Sequence, residues 1–255
     1  MNHLFLDKYS NLKSPIHQLD PRSKIIFFLL YIFFVITILP NDFLQFIAYF
    51  IIMFIVILIS RIPLIYILKR TCVIIPFILL IAIFIPFSKK TQIENSYNIG
   101  YLFVSHNRLW IFWNMLIKSF LTILAMIVLS STTKFSTLLK GLEFFKIPKI
   151  LIMLLSFMYR YIFVLIDEAQ RIEHARNSRY FGGEYLRQIK TIGNIIGCLF
   201  IKTYERGEKI YQSMLSRGFN GEIKILNRLN FSILDIYFCI LFLGSLLAIK
   251  IWSIL

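Results

Sequence analysis

Long apolar runs separated by short polar segments dominate the pattern of this chain. Three of the runs, residues 25–39, 43–59 and 72–87, contain no charged residue. Each is close to the roughly 17 to 25 residues that a helix needs to cross a bilayer. The pattern therefore predicts three membrane-crossing helices in the first third of the chain.

Two further runs are long enough to span but carry charges. Residues 109–129 have Lys118 near the middle, and residues 231–255 have Asp235 near the start and Lys250 near the end. We expect Asp235 and Lys250 to reach the membrane interfaces by extending their side chains. Lys118 does so less easily. We expect it to face a protein partner or a cavity, unless the helix is set deeper in the membrane than the run indicates.

A sixth run, residues 150–166, contains Arg160, and the distribution of cations decides its placement. With a cytoplasmic amino terminus, four crossings return the chain to the cytoplasm. A fifth crossing at this run would place the eleven Lys and Arg residues between Asp167 and Arg228 outside. That arrangement violates the positive-inside bias. The run is therefore predicted to lie along the membrane or against other helices, without a full crossing.

The composition is typical of a membrane protein, and the charge distribution makes a nucleic-acid-binding function unnecessary. Mean hydropathy is +0.74, and charged residues make up 16% of the chain, against roughly 25% in soluble domains. The net charge of +15 is explained by cations on the cytoplasmic side, so no nucleic-acid partner is needed. The three cysteines, Cys72, Cys198 and Cys239, offer neither a metal-ligand spacing nor a disulfide framework.

A polar heptad occurs twice, as SRYFGGE at residues 178–184 and SRGFNGE at residues 216–222. Each copy follows a segment with helical periodicity, and Gly218 suits the position just after a helix. An arginine in the last turn of a helix also complements the negative end of the helix dipole, which stabilises the helix by about 0.3 to 1 kcal/mol. Capping alone does not require the shared Phe and Glu, so the repeat favours two equivalent docking sites.

These residues resemble the transmembrane T component of energy-coupling-factor (ECF) transporters, of the CbiQ type that serves cobalt and nickel importers. The similar segments are SPIHQLDPRSK at residues 14–24, Thr132-Thr133, Ile147-Pro148 and MYRYIFVLIDEA at residues 158–169. The two Ala-Arg-Gly-like signatures of that family fall on Ser178-Arg179-Tyr180 and Ser216-Arg217-Gly218. The first triplet departs further from the pattern, because a tyrosine stands where glycine is expected.

The apolar runs and the cation distribution predict an all-α, multi-pass membrane protein with about five transmembrane helices, and the resemblance adds a cytoplasmic coupling region of amphipathic helices. These features divide the chain into residues 1–149, 150–230 and 231–255. The first part holds four transmembrane helices, the second holds membrane-apposed and coupling helices, and the third is the last transmembrane helix. The protein is expected in the prokaryotic cell membrane, with its amino terminus in the cytoplasm.

The resemblance also implies the partners. Two ATP-binding-cassette subunits bind ATP and receive the helix ends at Ser178, Arg179, Ser216, Arg217 and Gly218, while a separate membrane S component binds the ion. This chain is then expected to have no catalytic residue, cofactor or metal of its own. Lys118 and Arg160 are candidates for intramembrane polar contacts within such a complex.

Three other functions remain open from the sequence. The chain could be the T component of a vitamin importer, or the permease of an ordinary importer with one coupling helix per subunit. It could also be a membrane enzyme that uses Asp167, Glu168, Glu173 and His174. On a helix Glu173 and His174 diverge by about 100°, which disfavours the enzyme.

Overall fold

The computed structural model describes residues 9–10, 12, 14–39, 42–82, 84, 96–99, 102–179, 185–221 and 233–252. Helices make up most of this part, which confirms the predicted all-α class. The elements in chain order are α1 (Pro15–Gln18), α2 (Pro21–Ile36), α3 (Phe43–Ser60), α4 (Leu64–Ala82), β1 (Ser96–Ile99), β2 (Leu102–Ser105), α5 (His106–Thr132), α6 (Phe135–Glu143), α7 (Lys149–Asn177), α8 (Tyr185–Ser216) and α9 (Ile233–Trp252). The two strands form an antiparallel hairpin that pairs Ser96 with Ser105.

Five of the described helices are long and apolar enough to cross a membrane, as predicted. They comprise Phe43–Ser60, Leu64–Ala82, Trp110–Thr132, Lys149–Asn177 and Asp235–Trp252. This set differs from the predicted one by a single member. It includes α7, which contains the run at residues 150–166, and it omits α2, which covers the predicted first span.

Helix α2 is short because both of its ends are defined locally. Asp20 caps its first turn by accepting a hydrogen bond from the Arg22 amide at 3.0 Å, and Pro21 occupies the first helical position, as the sequence predicts. Pro40 follows closely after the last turn and disfavours helical geometry at the residue before it. The resulting 16 residues span about 24 Å, less than the roughly 30 Å of hydrocarbon.

The chain divides into two compact units, residues 2–141 with 229–255, and residues 142–228. We call the first the bundle and the second the α7–α8 unit. Within the bundle, α2 packs against α5 and α9. Tyr31 of α2 donates a hydrogen bond to the Tyr49 carbonyl at 3.1 Å, and Tyr49 donates to the Leu246 carbonyl at 3.4 Å. These two buried tyrosines join α2, α3 and α9 through the core.

Close packing also explains Gly141, which lies on α6. A Cβ atom at this position would lie 2.8 Å from Cδ1 of Ile25 and 3.4 Å from Cβ of Pro21. The first distance is shorter than van der Waals contact, so a side chain would displace α6 or Ile25. Glycine therefore allows α6 to lie directly on the first turn of α2.

The α7–α8 unit consists of two long amphipathic helices. The apolar run at residues 150–166 and the amphipathic segment that follows it form one uninterrupted helix of 29 residues, Lys149–Asn177. Helix α8, Tyr185–Ser216, has 32 residues and leads into the second copy of the heptad. Both helices leave many large apolar side chains exposed.

Candidate functional site

The second copy of the heptad ends α8 in a Schellman motif. Gly218 has φ +77°, which glycine adopts without a Cβ clash. Its amide donates to the Leu215 carbonyl at 3.0 Å, and the Phe219 amide donates to the Met214 carbonyl at 3.0 Å. These two bonds define the motif, with Gly218 as the first residue past the cap. Arg217 is thus the cap residue itself, and its side chain is exposed.

The first copy ends α7 with different backbone geometry. Ser178 is the cap residue and keeps right-handed helical angles, φ −67° and ψ −20°. The Arg179 amide donates to the Arg176 carbonyl at 2.9 Å, so the chain is still turning at Arg179. The Arg179 side chain is exposed. Tyr180, which stands where the family pattern has glycine, lies outside the described residues, as do Gly182 and Gly183.

The serines that open the two copies make equivalent hydrogen bonds. Ser178 Oγ donates to the His174 carbonyl at 3.0 Å, and Ser216 Oγ donates to the Gln212 carbonyl at 2.9 Å. Each acceptor lies four residues earlier in its helix, and the two acceptors are themselves 38 residues apart. The repeat therefore extends into the last turn of each helix, and it presents an arginine one residue later in both copies.

An ion pair and an apolar cavity lie between α7 and α8. Lys202 Nζ donates to Glu168 Oε1 at 2.7 Å, and Arg171 lies 3.8 Å from the same carboxylate. The hydrogen bond to Glu168 raises the pKa of the Lys202 ammonium. The cavity has a volume of about 510 Å³, and its lining includes Tyr161, Met214 and Phe219. Phe219 therefore takes part both in the cap of α8 and in the lining of this cavity.

The residues considered for an enzyme are not gathered into a site. Glu168 is engaged with Lys202, whereas Glu173 and His174 are exposed on α7. Within the described ranges, no group of three or more His, Cys, Asp or Glu side chains is placed to hold a metal ion. Arg160, a candidate for an intramembrane contact, is exposed on α7.

Lys118, on α5, contacts the carboxyl end of α2 in the bundle. Its ammonium donates to the Ile36 carbonyl at 2.9 Å and to the Ile38 carbonyl at 2.7 Å. Lys250, from α9, donates to the Thr37 carbonyl between them at 3.0 Å. The last carbonyls of a helix have no partner within it, so these lysines satisfy the carboxyl end of α2.

The same two helices also hold the amino end of α2. Asp235, at the start of α9, accepts a hydrogen bond from the Asp20 amide at 2.7 Å. Lys24 donates to the Thr132 carbonyl at the end of α5 at 3.2 Å. Burial disfavours the charged form of Lys24, and the nearby charges of Asp235 and Asp20 partly offset that cost. The prediction that Asp235 reaches an interface is wrong, because its side chain is only 1% exposed.

The contacts that join Asp20, Lys24 and Asp235 at the amino end of α2 were not predicted from the sequence, although some of these residues lie in segments that the sequence analysis singled out. Asp20 and Lys24 lie in the segment that resembles ECF components, and Thr132 follows the fourth apolar run. Asp235 is the one acidic residue of its run and lies more than 200 residues from Asp20 and Lys24. Its spacing from the others carries no information about contact, because the packing of α9 against α2 brings them together.

The fold and these sites define a multi-pass membrane protein that has two exposed, arginine-bearing helix ends in one unit and a tightly packed helical bundle in the other. Comparisons with known proteins agree. Residues 12–226 match the family CbiQ, described as cobalt transport protein. The chain belongs to this family.

Alignments with two of the relatives extend over most of the chain, and an alignment with a third extends over part of it. The chain is 31% identical over 241 residues to an uncharacterized protein of Methanocaldococcus jannaschii, covering 92% of this chain and 82% of the relative. It is 28% identical over 232 residues to the energy-coupling factor transporter transmembrane protein EcfT of Streptococcus thermophilus, covering 87% of each. The cobalt transport protein CbiQ of Rhodobacter capsulatus is 26% identical over 99 residues, 39% of this chain and 41% of that protein.

Proposed function

We propose that this chain is the T component of an ECF-type importer for cobalt or nickel. It transmits ATP-driven movement of two cytoplasmic ATPase subunits to a separate substrate-binding membrane subunit, and it catalyses no reaction itself. The family description and the relatives named EcfT and CbiQ support the transport role. A vitamin importer of the same class is the alternative, because the EcfT relative, which aligns along 87% of the chain, is not named for a metal.

The observation that carries this proposal is the pair of matched helix ends. Each presents an exposed arginine one residue after a serine that bonds back into its helix. A guanidinium keeps its charge and offers donors in a fixed fork, so it suits a groove lined by carboxylates or carbonyls. Ser178, Arg179, Ser216, Arg217 and Gly218 would then be the contacts to the two ATPases.

The backbone geometry suggests that the two contacts differ in strength. Arg217 is held by a complete Schellman motif, whereas Tyr180 replaces the glycine that the family pattern places after Arg179. A well-defined cap reduces the conformational entropy that the side chain loses on docking. We therefore expect the contact at Arg217 to be stronger than the one at Arg179.

Substitution of both arginines tests the proposal. In a complex reconstituted with its ATPases and substrate-binding subunit, R179A/R217A should abolish uptake and weaken ATPase association, with R217A alone more damaging than R179A. Truncating one partner of a buried charged pair typically costs about 2 to 5 kcal/mol. R171A is the matched control, because Arg171 is an exposed arginine on α7, away from both motifs. Wild-type uptake by the double variant would refute the docking role.

The composition of the purified complex tests the class and the cargo. The proposal requires one copy of this chain with two ATPase chains, which mass spectrometry of the intact assembly measures. An ordinary permease would instead appear as two membrane chains, each bearing one coupling helix. The substrate-binding subunit that copurifies, assayed with radioactive cobalt, nickel or vitamins, distinguishes the metal importer from the vitamin importer.

A further inference from the structure

The carboxyl end of α2 brings two lysines together within the membrane part of the chain. Lys118 and Lys250 come from different helices and bond three consecutive carbonyls, those of Ile36, Thr37 and Ile38. Because both ammonium groups bond carbonyls of consecutive residues at 2.7 to 3.0 Å, the two positive charges lie near each other. The site therefore concentrates two positive charges at the end of one short helix.

Capping uses only part of the hydrogen-bonding capacity of these groups. Each ammonium has three donors. Among the described residues, Lys118 uses two of these donors and Lys250 uses one, so donors remain for a further acceptor. Among the side chains that the structure describes, neither lysine forms a salt bridge. Charges at membrane depth are costly unless they are paired, so the site favours an anion.

The position of the site indicates which anion can reach it. Trp252 lies two residues from Lys250 and is 78% exposed, and Trp113 lies five residues from Lys118 and is 60% exposed. Five residues of helix correspond to about 7.5 Å. Exposed tryptophans are enriched at the interfaces of a bilayer, so we infer that both lysines lie closer to the lipid headgroups than the position of Lys118 in its apolar run indicates. The charge distribution of the sequence places this end of the bundle outside the cytoplasm.

The surface around the lysines suits acyl chains. Ile36, Leu39 and Leu247 are exposed large apolar residues near the bonded carbonyls or near Lys250 in sequence. A ligand with an anionic head and apolar tails would satisfy both the ammonium groups and these side chains. A phospholipid has this chemistry, whereas free phosphate lacks the apolar part.

We propose that Lys118 and Lys250 form a binding site for the phosphate of an anionic phospholipid. A headgroup with a net negative charge, such as phosphatidylglycerol, is preferred over phosphatidylcholine, because the choline cation would be repelled by the second lysine. The bound phosphate supplies the missing counter-charge and holds the ends of α2, α5 and α9 together. This site is independent of the proposed role in transport.

Lipid retention by the full-length chain tests the site. Native mass spectrometry of protein supplied with equal amounts of phosphatidylglycerol and phosphatidylcholine should show preferential retention of the former. A lysine near a membrane surface contributes about 1 kcal/mol towards anionic lipids, so K118Q and K250Q should each reduce that preference about fivefold. K69Q is the control, because Lys69 is an exposed lysine of α4, and it should retain the lipid as wild type does.

Glutamine separates lipid binding from simple capping, because its amide still donates hydrogen bonds to carbonyls but carries no charge. If the lysines only cap α2, both glutamine variants will retain phosphatidylglycerol as wild type does, and the proposal is overturned. A second measurement needs no variant. The wild-type chain should melt at a higher temperature in phosphatidylglycerol nanodiscs than in phosphatidylcholine nanodiscs, and equal melting temperatures would also overturn the proposal.

Discussion

Replacing Gly218 by alanine should loosen the helix end that presents Arg217. Gly218 has φ +77°, and a Cβ added there meets no heavy atom within 4 Å. The penalty therefore comes from the backbone alone and not from a clash with neighbours. A left-handed conformation costs an L-residue about 1 to 2 kcal/mol. That free energy changes the equilibrium between the closed and frayed last turn by a factor of about 5 to 30.

Hydrogen exchange measures this change directly. The amides of residues 218 and 219 are protected by bonds of 3.0 Å to the Leu215 and Met214 carbonyls, and in the G218A variant both should exchange about 5 to 30 times faster. G218N should show a smaller effect, because asparagine tolerates the left-handed region better than alanine. Uptake by the reconstituted complex should fall in the same order.

A glycine in the interior of α8 provides a control, because alanine should stabilise the helix there instead of destabilising it. Gly197 lies in the middle of the helix, and a Cβ there also meets nothing within 4 Å. Alanine stabilises a helix interior by roughly 0.5 to 1 kcal/mol relative to glycine, so G197A should slow exchange in α8. Unchanged exchange at residues 218 and 219 in G218A would refute the role given to the Schellman motif.

Two predictions concern the bundle, and both are measured by denaturation of the purified chain in detergent. D235A should cost about 3 to 5 kcal/mol, because it removes the partner of the Asp20 amide and a counter-charge of buried Lys24. D235N retains an acceptor oxygen and should cost less, so equal losses would contradict the charge contribution. G141A should cost about 1 to 3 kcal/mol through overpacking against Ile25. The double variant G141A/I25V lacks the crowded Cδ1 atom, so it should recover part of the stability lost in G141A. If the free-energy changes of the two single variants simply add in the double variant, this contact is not the cause of the loss.

The helix end at Gly218 illustrates how well local chemistry can be predicted. Glycine after an amphipathic segment predicted the C-cap, and the positive φ of Gly218 confirms it. Asp20-Pro21 predicted the start of α2 equally well. Both succeed because a cap depends on residues within one helical turn. The division of the chain into residues 1–149, 150–230 and 231–255, and the docking roles of the arginines, stay predictions.

Predictions that depended on depth in the membrane were less successful. Asp235 was expected at an interface because charged side chains near the end of a run can usually extend to water. It instead lies buried against the amino end of α2. Periodicity and hydropathy describe one segment at a time, so they could not reveal that a backbone amide 215 residues earlier needs an acceptor.

By itself the sequence determined the helical class, the number of long apolar helices, the duplicated motif and the caps at Asp20 and Gly218, because these follow from hydropathy and from backbone preferences over a few residues. Tertiary structure alone decided that both ends of α2 are held by α5 and α9. Lys24 and Asp235 hold one end, and Lys118 and Lys250 hold the other. A helix too short to cross the hydrocarbon leaves polar backbone groups inside it, and here side chains from neighbouring helices satisfy the last of them.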